Sequence, residues 1–212
     1  MKQLRNADGS YNADLKSKVA REAATLLYSG VDKEYKQAKT HAAETLGTHF
    51  LPSNREVALE LDNIAEEKEG ESRKKRLIQM RLEALQVMKL LDAYCPILIG
   101  STWRGNIRKG SDVDIAVYSD DSNQVTDALK ASGITVSKTS WEKVNKHGLT
   151  LVSLHIVAET SSKSCFEVVV RPREQQGQKR KCEIFGDEIK GLKTKELERL
   201  LKENPTKSFL PT

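Results

Sequence analysis

The chain contains few of the residues on which several protein classes depend. Its three cysteines are widely spaced and form no Cys-x-x-Cys pair, which argues against a disulfide framework and a cysteine zinc site and favours a reducing compartment. No run of 18 apolar residues occurs, and residues 1–5 lack the apolar core of a secretory signal, so no membrane-spanning helix is expected. These absences predict a cytoplasmic protein without a membrane partner.

Aromatic residues are also scarce, at 5% of the 212 residues, whereas charged residues make up 31% and the mean hydropathy is −0.55. Apolar runs such as residues 97–99 and 168–170 nevertheless argue against disorder and predict a buried core. The length suits one medium domain or two small ones. The formal net charge of +5 favours polyanionic partners, among them nucleic acids and nucleoside triphosphates.

The pattern of apolar residues divides the chain into two parts. Residues 1–93 carry apolar side chains at helical spacing, interrupted at Gly30, Gly47 and Gly70, and predict four helices, the last from about residue 72 to residue 94. The predicted strands that follow are residues 97–99, 113–118, 134–138, 149–158 and 166–171, with helices at residues 125–131 and 194–202. We therefore expect an α+β protein with a helical N-terminal module, residues 1–93, and a part containing strands and helices, residues 94–212.

Two aspartates open the second predicted strand. Asp112 and Asp114 are two residues apart, so on a strand their side chains lie on the same side, while Val113 and Ile115 turn to the other. Neighbouring carboxylates repel each other unless a cation lies between them. Hard divalent cations such as Mg²⁺ take oxygen ligands, usually carboxylates and substrate phosphates. The pair therefore predicts a Mg²⁺ site at the start of a buried strand.

A glycine-rich basic loop precedes these aspartates and follows the first predicted strand. Gly100 allows close approach of a ligand to the backbone, and the N–H groups around Ser101 suit phosphate oxygens. The loop also supplies cations that can neutralise a triphosphate, namely Arg104, Arg108 and Lys109. A Walker A site is excluded because Asn106 and Ile107 stand where Lys and Ser or Thr are required, and no Gly-x-Gly-x-x-Gly of a Rossmann site occurs.

Residues 98–117 together resemble the signature of the DNA polymerase β-like nucleotidyltransferase superfamily. An apolar strand ends in a Gly-Ser pair, ten residues follow, and Asp-x-Asp then opens a second apolar strand just after another Gly-Ser pair. The resemblance implies a small mixed sheet with helices on one face, and two Mg²⁺ (or Mn²⁺) ions that bridge three carboxylates and the phosphates of an NTP. It assigns Asp112 and Asp114 to the metals. The residues assigned to the nucleotide are Gly100, Ser101, Arg104, Lys109 and Ser111.

Members of the family also have a third carboxylate, on a later strand, which acts with the two aspartates as a catalytic residue and metal ligand. The resemblance implies Glu167, which lies in an apolar strand that soon meets Pro172. Relatives that add nucleotides to tRNA usually carry Asp at this place, so the glutamate is a departure from the family pattern. Glu159, at the end of the preceding predicted strand, is the alternative.

The resemblance implies Mg²⁺-dependent transfer of a nucleoside monophosphate from an NTP to an acceptor hydroxyl, with release of pyrophosphate. The basic charge and the likeness of the third strand to tRNA-tailing enzymes favour an RNA acceptor such as a tRNA-like 3′ end. Two alternatives stay open. One is adenylylation of a protein or small molecule, which the short chain and the acidic run at residues 66–71 favour. The other is a non-catalytic module that binds nucleotide or RNA.

Several other polar residues have two interpretations each. Trp103 can stack on a base, but its position is typical of packing at a helix start. His155 lies in an apolar strand and is predicted to be a core histidine rather than a catalytic base. The cluster at residues 73–76 and the stretch from 171 to 195, with eight Lys and Arg against four Asp and Glu, predict either a nucleic-acid contact or a solvated surface.

Overall fold

The computed structural model describes residues 2–146, 149–160 and 164–211. Its helices are α1 (Lys2–Ser29), α2 (Tyr35–Thr45), α3 (Asn54–Leu90), α4 (Gly100–Arg104), α5 (Ser122–Ala131) and α6 (Thr194–Glu203). Its strands are β1 (Ile97–Ile99), β2 (Val113–Tyr118), β3 (Thr135–Lys146), β4 (Leu149–Glu159), β5 (Cys165–Arg171) and β6 (Leu192–Lys193). None of the helices in these ranges combines the length and the apolar character needed to cross a membrane.

The chain forms two compact units. The first contains residues up to Gly70 together with residues 182–187, and the second contains residues 71–181 and 188–212. Gly70 has a non-helical backbone (φ 46°, ψ −128°) inside α3, so the two helices predicted on either side of it meet at a kink. The predicted boundary between residues 93 and 94 separates helices from strands in the sequence, and as a domain boundary it stays a prediction.

The first unit has a core of small side chains contributed by α1, α2 and the first half of α3. Ala23, Ala42 and Val57 are fully buried there. Alanine side chains allow helix axes to approach closely while still removing apolar surface from water. On the surface of this unit, Arg21 of α1 donates to Glu60 (3.1 Å) and Glu67 (2.6 Å) of α3, an exposed pairing that contributes little to stability.

The second unit is built on a six-stranded sheet with the order β3-β4-β5-β2-β1-β6. β2 and β5 are parallel, and the other neighbours are antiparallel. This mixed sheet with its helices confirms the predicted α+β class.

One face of the sheet forms the core of this unit. Leu98, Ile115, Ile156 and Val168, from four different strands, are fully buried on it. Helical side chains pack against them, namely Leu77, Met80, Ala84, Val87 and Met88 of α3, Val125 and Leu129 of α5, and Leu197 and Leu200 of α6. Because strand residues alternate between faces, the residues between these apolar ones point to the opposite face.

Three elements differ from those predicted. β3 continues to Lys146, well beyond the predicted residue 138, because it pairs with β4 along its whole length, although its last residues lack an apolar alternation. α5 begins at Ser122 because the Asp121 side chain accepts a hydrogen bond from the N–H of Asn123 (3.0 Å) and caps the helix. β6 is only two residues long and was not predicted.

Candidate active site

The parallel pairing of β2 with β5 brings two of the predicted carboxylates together. Asp114 is directly opposite Glu167 in this register, so both side chains lie on the face of the sheet that points away from the core. Asp112, two residues earlier, is exposed and points to the same side. Its charge and that of Glu167 both act on Asp114. Residues that are 55 positions apart in the sequence therefore form one acidic cluster.

Burial and mutual repulsion disturb the titration of this cluster. Burial, followed by the charges of Glu167 and Asp112, raises the pKa of Asp114 to about 7. Burial also raises the pKa of Asp112, and Glu167 adds to the rise while a hydrogen bond from the Cys165 thiol opposes it. A hydrogen bond with Glu167 adds to the rise in the pKa of Asp114. Asp114 and Glu167 are therefore neighbouring acids that a cation can bridge.

The chemistry of this donor set suits a hard divalent cation, because its members are carboxylate oxygens at neighbouring positions. Within the described ranges, no group of three or more His, Cys, Asp or Glu side chains stands in metal-binding geometry.

A histidine that sequence reasoning assigned to the core contacts the third carboxylate. His155 Nδ1 lies 2.7 Å from Glu167 Oε1. Its other ring nitrogen, Nε2, lies 3.0 Å from Ser153 Oγ and 3.3 Å from Glu142 Oε2. The His155 side chain is 16% exposed, against 36% for Glu167, so the imidazole fixes the orientation of a carboxylate that solvent reaches.

The alternative third carboxylate, Glu159, has a different position. It is exposed and pairs with Cys165 across β4 and β5, whereas Glu167 pairs with Asp114. The strand register therefore favours Glu167 as the partner of the two aspartates.

The turn at Gly100 packs directly over the Asp114 carboxylate. Gly100 has a positive φ of 69°, and a Cβ atom at this position would overlap Asp114 Oδ2, so both the conformation and the space require glycine. Gly100 is also the first residue of α4, with Ser101 next to it. The predicted phosphate loop thus begins in contact with the acidic cluster.

The sequence of this site matches a known family. A family model described as a nucleotidyltransferase domain matches residues 96–203, just over half of the chain. The chain belongs to the nucleotidyltransferase domain family. The resemblance predicted from residues 98–117 is confirmed at the level of this domain family.

Solved structures similar to this nucleotidyltransferase share low sequence identity with it. A cytoplasmic RNA terminal U-transferase is 19% identical over 57% of this chain and 35% of its own, with a TM-score of 0.29. A GLD-2/RNP-8 complex is 13% identical over 57% and 44% (TM-score 0.31), and JHP933 from Helicobacter pylori is 14% identical over 54% and 49% (TM-score 0.28). The chain spans less than half of the length of each of these structures. No curated protein matches its sequence.

Among the predicted nucleotide ligands, Arg104 has the most buried side chain. Its side chain is 4% exposed, and its guanidinium lies 4.6 Å from the centre of the Trp103 ring. Arg104 Nη1 donates to the carbonyl of Phe209 (3.4 Å), whose N–H donates to the Arg104 carbonyl (2.8 Å). Arg104 therefore attaches the C-terminal segment to α4, and its assignment to the nucleotide stays a prediction. Trp103 packs at the helix, as its position predicted.

The other two loop residues have contrasting surroundings. Ser111 Oγ accepts a hydrogen bond from the N–H of Arg108 (2.9 Å), and the N–H of Ser111 donates to the Arg108 carbonyl (3.0 Å). This reciprocal pair closes the turn at Gly110 and engages the hydroxyl that was predicted to meet the nucleotide. Lys109, at the tip of the turn, is exposed. Both assignments to the nucleotide stay predictions.

Two arginines of α3 donate hydrogen bonds to backbone carbonyls of the predicted phosphate loop. Sequence reasoning did not predict that either side chain is buried. Arg81 is fully buried and donates to the carbonyls of Thr102 (3.0 Å) and Trp103 (2.9 Å) at the end of α4. It also donates to two carbonyls of the C-terminal segment, those of Pro205 (2.7 Å) and Lys207 (3.0 Å). Arg73, 6% exposed, donates to the carbonyl of Ile107 (2.7 Å). Arg73, which belongs to the predicted basic cluster at residues 73–76, is therefore not simply solvated.

Proposed function

We propose that this nucleotidyltransferase transfers a nucleoside monophosphate from an NTP to a hydroxyl group of an RNA acceptor and releases pyrophosphate. The observation that carries the proposal is the convergence of Asp112, Asp114 and Glu167 beside the Gly100 turn. Side-by-side carboxylates are unfavourable unless a cation joins them. Their convergence next to a glycine turn is what a site for a metal-bound triphosphate needs.

The three carboxylates are the residues that would hold two Mg²⁺ (or Mn²⁺) ions. Such ions, when bound, activate the attacking hydroxyl and neutralise charge on the phosphates. The chain contributes the arrangement of these ligands. His155 orients Glu167 through the 2.7 Å contact, and the parallel register of β2 and β5 places Asp114 opposite Glu167.

We assign the triphosphate to the turn that begins α4. Gly100 keeps the backbone free of a side chain above Asp114, and Ser101 follows with a hydroxyl and an N–H. Lys109 supports this assignment because it is an exposed cation in the same loop, and a flexible ammonium group can follow phosphate oxygens. Because Arg104 is buried, it has no part in this proposal.

The distribution of charge supports a polynucleotide acceptor. The second unit, which contains all three carboxylates, has 25 Lys and Arg and 16 Asp and Glu, a formal net charge of +9. The first unit has 10 Lys and Arg and 14 Asp and Glu, a net charge of −4. The excess of +5 in the whole chain therefore understates the basic character of the catalytic unit, which favours a polyanion as its partner.

The test is incubation of the purified protein with Mg²⁺, cellular RNA and each α-³²P-labelled NTP in turn. We expect label in RNA, its loss in Asp112→Asn and Asp114→Asn proteins, and full activity in Asp127→Asn, which removes an exposed carboxylate from α5. Label in a protein band instead of RNA would favour adenylylation of a protein. Equal labelling by wild type and Asp114→Asn would refute the site.

A further inference from the structure

Two arginines lie close together at the far end of β5, outside the acidic cluster. Arg171 ends the strand and pairs with Tyr118 at the end of β2. Since it is four residues beyond Glu167, its side chain leaves the same face of the sheet. Arg180 follows in the next loop, and its carbonyl accepts a hydrogen bond from the N–H of Ile189 (2.7 Å), which fixes the loop backbone at this point.

Neither arginine is neutralised by the protein. In the part of the chain that the structure describes, no carboxylate forms an ion pair with Arg171 or Arg180. Asp120, which follows the end of β2, accepts a hydrogen bond from the backbone N–H of Arg173 (3.0 Å) and, within the described residues, forms no ion pair with Arg171 or Arg180. Arg180 donates to the Gln175 side chain, and the N–H of Gln175 donates to the carbonyl of Pro172, which follows Arg171 directly. Burial, followed by the charge of Arg171, lowers the pKa of Arg180.

The pair is nevertheless held in place. Arg180 Nη2 donates to Gln175 Oε1 (2.6 Å), and Gln175 is itself 4% exposed. Both arginines are partly buried, and Arg171 Nε is shielded from solvent without a hydrogen-bond partner. An unsatisfied buried donor costs free energy, as does the proximity of two like charges, and an anion bound to the guanidinium groups offsets the second cost.

We propose that Arg171 and Arg180 bind a backbone phosphate of the polynucleotide acceptor. Planar guanidinium groups match phosphate oxygens and can bind them in a bidentate manner. The inference rests on the proposed function, because it takes the acceptor to be RNA, and it adds the place where the strand is gripped.

The position of the pair favours the acceptor over the NTP. Four residues along an extended strand correspond to about 13 Å, measured from Glu167 away from the start of β5. The Gly100 turn, to which we assign the triphosphate, lies beside Asp114 at the start of β2. A ligand that binds at both ends of this face needs phosphates spaced along its length. A polynucleotide has such phosphates, whereas an NTP has a single triphosphate group.

Binding of a fluorescein-labelled single-stranded oligoribonucleotide of about twelve nucleotides, followed by anisotropy over a salt series, tests the proposal. We expect Arg180→Gln to bind about tenfold more weakly than wild type. The slope of log affinity against log salt should fall in magnitude by about 0.7 for one lost phosphate contact. Arg180→Lys keeps the charge and should keep most of the slope. Arg173→Gln, an exposed arginine in the same loop, is the matched control and should bind like wild type.

A second experiment locates the contacted phosphate along the oligonucleotide. Methylphosphonate groups placed one at a time along the oligonucleotide should weaken binding to wild type at one position, and that position should have no effect in Arg180→Gln. Unchanged affinity and slope in Arg180→Gln would overturn the inference. A raised KM for the NTP with unchanged RNA affinity would move the site to the nucleotide and overturn it too. In either case label would still enter RNA in the transfer assay, whereas failure of the proposed function leaves RNA unlabelled by wild type.

Discussion

Replacement of Arg81 by methionine tests how the predicted phosphate loop after Gly100 is supported. The substitution keeps most of the side-chain length and removes the guanidinium, which donates to four carbonyls. Two of these, Thr102 and Trp103, belong to the last turn of α4, where no further helical residue can donate to them. Arg81 thus serves as a cap for the short helix that begins at Gly100, and it joins that helix to the C-terminal segment.

The magnitude follows from burial and from the number of bonds. Burial lowers the pKa of Arg81 to about 10, so the lost hydration of the charged form costs about 3 kcal/mol. Hydrogen bonds from a charged donor contribute about 1.5–3 kcal/mol each, and four of them exceed that cost. In Arg81→Met the contacts with Pro205 and Lys207 are only partly buried, so water can replace them. The two fully buried carbonyls remain unsatisfied, and we expect a loss of about 3–4 kcal/mol.

Urea unfolding followed by tryptophan fluorescence measures this loss where it occurs. The protein has two tryptophans, of which Trp103 is 4% exposed beside Arg81 and Trp141 is 62% exposed. In a Trp141→Phe background the fluorescence therefore reports on the loop alone. Arg199→Met, an exposed arginine of α6, is the control and should change the stability by less than about 0.5 kcal/mol. A loss below about 1 kcal/mol in Arg81→Met would refute the view that this residue caps α4.

Three further substitutions address the site itself. Gly100→Ala forces a Cβ into the Asp114 carboxylate and should lower nucleotide transfer at least tenfold. Gly110 also has a positive φ but open space around it, so Gly110→Ala should change activity little. Equal effects of the two substitutions would show that backbone strain, not the clash with Asp114, lowers activity. His155→Ala should weaken Mg²⁺ binding by about tenfold in calorimetry. His155→Gln can still donate to Glu167 and should recover part of the lost Mg²⁺ affinity. Unchanged affinity in both variants would refute the role of His155 in positioning Glu167. Because the folded pKa of Asp114 is about 7 and thus above its unfolded value, the folded state retains a proton that the unfolded state loses. The metal-free protein should therefore lose stability as pH rises from about 4 to 7, and Mg²⁺ affinity should rise over the upper part of that range. Thermal melts and calorimetry of wild type and Asp114→Asn check both trends, and a pH dependence that survives in Asp114→Asn would contradict the assignment.

The features of the fold that local sequence patterns determine were predictable from the sequence. β1 and β2 have the bounds that their apolar runs predicted, because each is a short apolar run bounded by Pro96, glycines of the loop or polar residues that end a strand. Asp112 and Asp114 lie on one side for the same reason, since period two alone decides it. Glu167 needed the family resemblance, because no local pattern states that β5 is the parallel neighbour of β2.

Two residues were missed although the sequence contained a sign of each. His155 alternates with Leu154 and Ile156, so it occupies the same face as Ser153 and not the apolar face. A histidine on the polar face of an otherwise apolar strand is a better candidate for a site than for the core. Arg81 stands four residues after Leu77 and three before Ala84, within the apolar stripe of α3, where a charge requires a specific partner.

Fold and site depend on the same alternation in the sheet. Along β2 and β5 every second residue packs into the core, as Ile115 and Val168 do, and the residues between them form the acidic cluster. A slip of one residue in the pairing of these strands would turn Asp114 or Glu167 into the core and an apolar side chain toward the ligand. The cost of burying a carboxylate without a partner is several kcal/mol, so the charged residues of the site also exclude the wrong register. In this nucleotidyltransferase the carboxylates that we assign to catalysis therefore help to specify the sheet that carries them, and their replacement by leucine should harm folding more than replacement by asparagine.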